Sequence, residues 1–260
     1  MSSIRRHFEL TRVFLTGSSG FIGRNFYKLY KDVYDITLCD IANGQDILYS
    51  DTVPNWQSKL SPYDVVVHLA AKAGVRRSHL IPDEYWETNV EGSKKIFKAC
   101  DSFGFTIPCI YASSSSIYEW WQSPYATTKK VVEQIAPESS LGLRFHTVYG
   151  DDSRPDMLYD QLLNKSDKLT YLTEHTRDFT HVEDVCSAIA ICIDNFRSLK
   201  QYRAIDVGNG TPVSVKEMAD HVWPDNNLPY KEVSGEREHT CADPTILKQF
   251  GWSAKHNILS

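Results

Sequence analysis

Short apolar runs alternate with amphipathic stretches through the first 150 positions. The runs are Arg12–Thr16, Ile36–Asp40, Val65–Ala71, Ile107–Tyr111 and Leu141–Phe145. Val65-Val66-Val67 is continuous and β-branched, as strands buried on both faces tend to be. Between the runs, apolar residues recur at helical spacing. One helix is predicted up to about Tyr30, a long one over Pro82–Phe103 with Asn89 and Gly92 inside it, and a third from Ser123-Pro124. Strand alternating with helix predicts an α/β fold, a Rossmann-type doubly wound parallel sheet. Polar motifs fall at the ends of the predicted strands, where such sheets bind ligands.

After Gly150 the pattern loosens. A helix is predicted from Arg154–Met157 to about Lys165, a strand over Lys168–Leu172, and a helix that starts near Val185 and ends near Asn195. A strand over Arg203–Val207 and helices near Ser214–Val222 and Pro244–Phe250 follow. We read residues 1–150 as a dinucleotide-binding domain and 151–260 as a small interleaved C-terminal substrate lobe. Part of 177–210 returns to the first domain.

Composition narrows the field without deciding it. The chain has 260 residues, 42% hydrophobic and 23% charged, with a formal net charge of −5. That balance argues against a nucleic-acid partner. No run of 18 apolar residues exists, so no membrane span is expected. Met1–Glu9 lacks an apolar signal core. The six cysteines form no C-x-x-C pair, and no histidine lies near them at metal spacing. Buried free thiols, no metal and a reducing cytoplasmic setting are the expectation.

Candidate chemistry begins at Gly17-Ser18-Ser19-Gly20-Phe21-Ile22-Gly23, between the first strand and helix. In that context the first glycine allows a tight turn, the second lets backbone approach a pyrophosphate, and the third lets helix pack on strand. Phosphates would then lie over the helix N-terminus. Asp40 ends the second strand, 17 residues past Gly23. There a carboxylate accepts ribose hydroxyls and repels a 2′-phosphate, favouring NAD over NADP. Asp46-Ile47 either touches the adenine edge or is solvated loop. Ala70 and Ala71 are small where a cofactor would cross the strand ends, and His68 reads as a core histidine.

The second cluster is Ala112–Tyr118, with its run of four serines, followed by Tyr125 and Lys129. Residues four apart share a helix face, so a Lys129 ammonium can sit on the Tyr125 side of a pocket. A free tyrosine has a pKa of about 10, and reaching ~7 takes roughly 4 kcal/mol of preference for the phenolate. One lysine and a second positive charge in a partly dry cleft can supply it. By itself, Tyr-x-x-x-Lys also arises by chance.

With these motifs placed, the chain resembles the extended short-chain dehydrogenase/reductases, within them the nucleotide-sugar epimerases and dehydratases. The matching text is Thr16–Gly23, His68–Ala71, Thr88–Gly92, Ala112–Tyr118 and Tyr125–Lys129. Ala73–Arg76, Leu143–Gly150, Arg154-Pro155-Asp156-Met157 and Arg177–Thr180 are most similar to UDP-glucuronate 4-epimerases. The resemblance implies NAD held by Gly17, Gly20, Phe21, Ile22, Gly23, Asp40, Asp46, Ile47, Leu69, Ala70, Ala71 and Lys129. It implies Tyr125 as the base for the sugar 4-hydroxyl, Ser114 as proton relay, and Lys129 lowering the Tyr125 pKa. Ser115, Ser116, Thr147, Arg154 and Arg177 fall at substrate positions, Arg154 being either an anion ligand or a surface arginine. A homodimer through Pro82–Phe103 and Ser123–Ile135 is also implied.

A 4,6-dehydratase of this family carries an acid and a base after the active serine, and a decarboxylating synthase a glutamate. Here those positions are Ser115 and Ser116, which leaves 4-epimerisation of a UDP-sugar. UDP-glucuronate/UDP-galacturonate is the leading pair. UDP-N-acetylglucosamine or UDP-glucose, a catalytically degenerate NAD-binding scaffold, and an NADPH-dependent reductase are the alternatives, Asp40 arguing against the last. The chain departs from its relatives in a short Glu119–Pro124 bridge, with Glu119 in place of a glycine, and in a shortened stretch after Lys130. The second phosphate arginine ahead of Gly235-Glu236 is absent, and Arg237 either compensates or is solvated. The short bridge predicts a pocket open on that side.

Overall fold

The computed structural model describes residues 10–49, 60, 62–102, 105–235 and 237–260. Met1–Glu9, the predicted helix end at Phe103, and Glu236 lie outside the described residues. Six strands form one parallel sheet: β1 (Arg12–Thr16), β2 (Asp35–Cys39), β3 (Val65–His68), β4 (Cys109–Ser114), β5 (Ser140–Phe145) and a late strand, Ala204–Val207. Their spatial order is β2, β1, β3, β4, β5, then Ala204–Val207, every pair parallel. The chain leaves β1 to one side for β2 and to the other for β3, so the crevice lies outside the carboxyl ends of β1 and β3.

Both faces of the sheet are buried, which explains the unbroken apolar runs. Val13, Leu15, Val65, Val67, Ile110, Leu141 and Leu143 face one core, shared with helix α1 (Phe21–Tyr30) and a later helix, Val182–Asp194. Phe14, Val66, Cys109 and Tyr111 face the other, against Val90, Ile96, Phe97 and Val132. Each fully buried Val, Leu or Phe side chain contributes about 1.5–3 kcal/mol.

Several predicted elements change on inspection. The long helix is three segments: α-helix Pro82–Tyr85, a π-helical stretch Trp86–Glu91, and α-helix Gly92–Cys100. It ends at Cys100, and Asp101 enters a short strand. In the π-helical stretch Asn89 is buried, and its side chain bonds both main-chain groups of Lys72 and, at 3.0 Å, the Thr128 hydroxyl. Lys168–Leu172 is not a strand. Leu172 makes only an isolated bridge to Tyr230. The helix expected from Arg154 begins at Leu158 and runs to Leu163, behind the Pro155 turn. The fourth strand extends to Ser114, past the predicted end at Tyr111, so the serines finish the strand.

A third apolar cluster gathers Tyr149, Leu162, Leu172, Phe179, Val215, Met218, Ala219 and Ile258. Buried Asp178 ties this region to the sheet. Its carboxylate accepts N–H bonds from Asn209, Gly210 and Ala242 at 2.8–2.9 Å. All six cysteines are free thiols, and only Cys241 is exposed. No helix among the described residues is long and apolar enough to cross a membrane.

Two glycines separate conformational strain from close approach. Gly17 has φ +69°, and a Cβ there would sit 2.5 Å from the Ala70 nitrogen. Gly44 has φ +71° with nothing within 4 Å. Gly44→Ala is expected to cost about 1 kcal/mol, and Gly17→Ala about 3 kcal/mol because backbone must also shift. Urea unfolding of both variants checks this, and equal losses would contradict it.

Candidate active site

The glycine turn is built by contact between backbones. Gly17 lies against Leu69-Ala70, and a Cβ on Gly23 would meet the Gly17 carbonyl at 2.2 Å, so the start of α1 sits directly on the turn. Gly20 is the N-cap of α1 and offers no side-chain acceptor to the first-turn N–H groups of Phe21 and Ile22. Such a terminus suits an anion. Phe21 and Ile22 pack their side chains against the core. Asp40 follows β2 and caps the 3-10 turn Ile41–Asn43. Oδ2 accepts the Ser19 N–H at 3.0 Å and Oδ1 the Ala42 N–H at 3.0 Å.

Gly17, Gly20, Asp40, Asp46, Ile47, Leu69, Ala70 and Ala71 line one cleft of about 600 Å³. Lys72, Tyr49 and Glu84 join them, none marked by the sequence motifs. A Lys72–Glu84 ion pair of 2.7 Å stands there. These residues fit an adenine dinucleotide: a Cβ-free cradle, a helix N-terminus for phosphate and a carboxylate for a ribose. His68, below the turn, is a core histidine. Its Nδ1 is 2.7 Å from Thr16 Oγ1 and its Nε2 3.0 Å from Ser93 Oγ. Burial, then the nearby Lys129, pushes its pKa down to about 3, so it stays neutral.

The reactive cluster is assembled by β4 and helix α2 (Pro124–Ile135). Ser114 ends the strand and caps the 3-10 stretch Ser115–Gln122, accepting the Ser116 N–H at 3.2 Å. Ser123 caps α2 and Pro124 opens it. Tyr125 is half-buried in the first turn. Burial raises its pKa, while the Ser114 hydroxyl and the Arg154 charge pull it down. Tyr85 braces the ring edge-on, with centroids 6.2 Å apart, and its hydroxyl donates to the carbonyls of Ala73 and Gly74. No motif pointed to Tyr85. The sequence placed it only within the long predicted helix.

Lys129 is placed differently from the expectation. It is buried, with Nζ donating to the Ala112 carbonyl at 2.8 Å. Burial lowers its pKa to about 8, with Glu133 opposing. The cation acting on Tyr125 is Arg154. One turn on, Glu133 is held by Arg144 at 2.9 and 3.0 Å and by the Ser113 hydroxyl at 2.5 Å.

A second cleft, of about 370 Å³, collects Ser115, Ser116, Thr147, Arg154, Arg177 and Arg237. Arg76 and Arg77 bring its arginines to five, against Glu119 and Asp156. So an acidic chain carries a basic cleft. Arg154 pairs with Asp156 at 2.9 Å. Arg177 donates to the carbonyls of Thr176 and Glu238 and meets His175 Nδ1 at 2.8 Å. Arg237 is not simply solvated. It pairs with Glu119 at 3.2 Å and stacks on the Tyr118 ring. That pair ties the short bridge to Arg237, and both residues line the cleft on that side.

Elsewhere among the described residues, His181, Glu183 and His256 bring three possible metal-ligand atoms within 4.8 Å. The two rings stack at 4.1 Å, and His181 Nδ1 accepts the Glu183 N–H. Near-parallel rings do not converge their in-plane lone pairs on one ion.

Three comparisons bear on this geometry. UDP-glucuronate 4-epimerase 4 of Arabidopsis thaliana is 32% identical over 199 residues, 62% of this chain and 46% of that protein. The chain thus spans about half the length of that plant relative. Protein CapI of Staphylococcus aureus is 30% identical, with 81% of this chain and 82% of that protein covered. The solved structure of MoeE5 in complex with UDP-glucuronic acid and NAD superposes with a TM-score of 0.78 at 26% identity, covering 95% of each chain. Residues 13–208 match the model of the NAD dependent epimerase/dehydratase family, and the chain belongs to that family of nucleotide-sugar enzymes.

Proposed function

We propose that the protein interconverts UDP-glucuronate and UDP-galacturonate by 4-epimerisation through a transient 4-keto sugar. The observation that carries this reading is the second cleft: five arginines line it, together with Ser115 and Ala126, the residues that directly follow Ser114 and Tyr125. A UDP-uronate brings a diphosphate and a carboxylate, and arginine forks suit both. The names of the plant relative and the bound sugar of MoeE5 support the same substrate class. Ser115 and Ser116 follow Ser114, where the dehydratases of this family carry an acid and a base. This favours epimerisation over dehydration.

The glycine turn and Asp40 would hold NAD, which would supply a hydride acceptor and a positive charge near the phenol. Tyr125 takes the 4-hydroxyl proton, and Ser114 orients that hydroxyl and relays the proton. Arg154 stabilises the phenolate and reaches the substrate's anionic part. Arg177 and Arg237 bind the diphosphate side, and Ser116 and Thr147 face the sugar. Lys129 anchors α2 on β4 so that Tyr125 and Ser114 stay together. The reading includes a cytoplasmic homodimer that pairs through Gly92–Cys100 and Pro124–Ile135, and monomer alone in sedimentation at micromolar concentration would remove that part.

Incubation of the purified chain with UDP-glucuronate is expected to yield UDP-galacturonate by chromatography. Parallel incubations with UDP-N-acetylglucosamine and UDP-glucose test the neutral-sugar alternatives. Absence of any interconversion, with no NAD bound, would sink the enzyme reading in favour of a degenerate scaffold. Tyr125→Phe is expected to keep its NAD and lose at least 99% of turnover, roughly the 10²-fold scale of a lost general base. Retained activity above a few per cent of wild type, a scale set by the same estimate, would assign the proton transfer to another group. Ultraviolet difference titration of wild type against Tyr125→Phe reads the phenol itself. Without NAD the ionisation is expected above the ordinary tyrosine range, because burial raises it. Added NAD should move it to lower pH, because a neighbouring positive charge favours phenolate. An unmoved titration would contradict the tuning argument.

A further inference from the structure

Glu119 stands where the chain between the two halves of the site is shortest, and its contacts converge on one arginine 118 positions away. It lies at a break between two 3-10 turns, with φ −129° and ψ 53°. One carboxylate oxygen accepts from Arg237 Nε at 3.2 Å, and the Gln122 amide donates to the other. Arg237 NH1 donates to the Ser115 carbonyl at 3.1 Å, and the Tyr118 ring stacks 5.3 Å from the guanidinium carbon. Tyr118 is fixed in turn by Asp206, through a 2.6 Å hydrogen bond, and by Arg144. Two edges of the Arg237 fork are therefore committed to protein, while the NH2 corner makes no hydrogen bond among the described residues.

An ion pair whose side chains are 20% and 32% exposed adds little to stability, on the order of 1 kcal/mol or less. Its consequence is orientation. An arginine loses rotamer freedom whenever it grips an anion, and a side chain already held in place avoids that loss. We propose that Glu119 is a positioning residue that sets Arg237 with its unbonded corner ready for an anionic group of the UDP-sugar. This rests on the UDP-sugar reading of the cleft. The opposite role, a carboxylate competing with the substrate for Arg237, predicts the opposite sign and is resolved by the same experiment.

The test uses the full chain with bound NAD, whose content and circular dichroism are measured first for each variant. Glu119→Ala, Glu119→Gln, Arg237→Ala and the double alanine variant are compared by KM and kcat for UDP-glucuronate and by calorimetric Kd for UDP. Glu119→Ala is expected to raise KM roughly tenfold, with kcat within about twofold, the scale of one weakened charge-assisted hydrogen bond. Glu119→Gln keeps an oxygen facing Nε and is expected to stay within about threefold of wild type, on the same scale. The double variant should be no worse than Arg237→Ala, because Glu119 acts only through that arginine. A lowered KM in Glu119→Ala, or an undiminished loss from it when Arg237 is already gone, would overturn the proposal. Wild type that neither turns over UDP-glucuronate nor binds UDP would instead fail the functional reading itself.

Discussion

One bond, from Lys129 Nζ to the Ala112 carbonyl, fixes the geometry of the candidate site. It joins helix α2 to strand β4 at their shared end, which sets Tyr125 beside Ser114. Burying the amine disfavours its charged form, hence a pKa of about 8. This side chain is better placed as an anchor than as the main electrostatic partner of the phenol. Burial raises the Tyr125 pKa, while the Ser114 hydroxyl and the Arg154 charge pull it down. Burial is the larger of these influences, so the phenol lies above the ordinary tyrosine range, and in the proposed reaction the positive charge of NAD would oppose it.

The rest of the molecule places two clefts on either side of that junction. Gly17 lets β1 and β3 deliver backbone against backbone, and the cleft above it takes its shape from groups with no side chain in the way. The second cleft needs residues from both ends of the chain. Buried Asp178 holds the Asn209–Gly210 turn and the Ala242 segment through three N–H bonds, and the Arg237–Glu119 pair ties two of the cleft's lining segments together. The basic cleft is thus assembled from distant segments, while the chain as a whole is acidic.

Much of this was legible before any coordinates. Unbroken apolar runs announce strands buried on both faces, and Val65–Val67 is buried as expected. The glycine spacing located the turn because sterics at Gly17 leave no alternative residue. Less visible was anything set by long-range pairing. The π-helical stretch at Trp86–Glu91 has no periodicity signal, since it reflects Asn89 bonding to Lys72 and Thr128. The run at Lys168–Leu172 looked like a strand because its apolar residues serve a small core instead. Glu119 read only as a departure, and Arg237 as compensating or solvated. Their pairing joins positions that no local pattern connects. Lys129 stood out by its spacing from Tyr125, but its partner is a main-chain carbonyl, which leaves no trace in a sequence.

The central claim is that proton removal by Tyr125 accompanies transfer of the C4 hydrogen away from the sugar and back to the same carbon. The most direct measurement is incubation of UDP-glucuronate deuterated at C4 with wild-type enzyme in ordinary water, followed by NMR of both sugars. The account predicts that UDP-galacturonate forms with the deuterium retained at C4 and that C5 acquires nothing from solvent. Loss of the label to water, or exchange at C5, would contradict it.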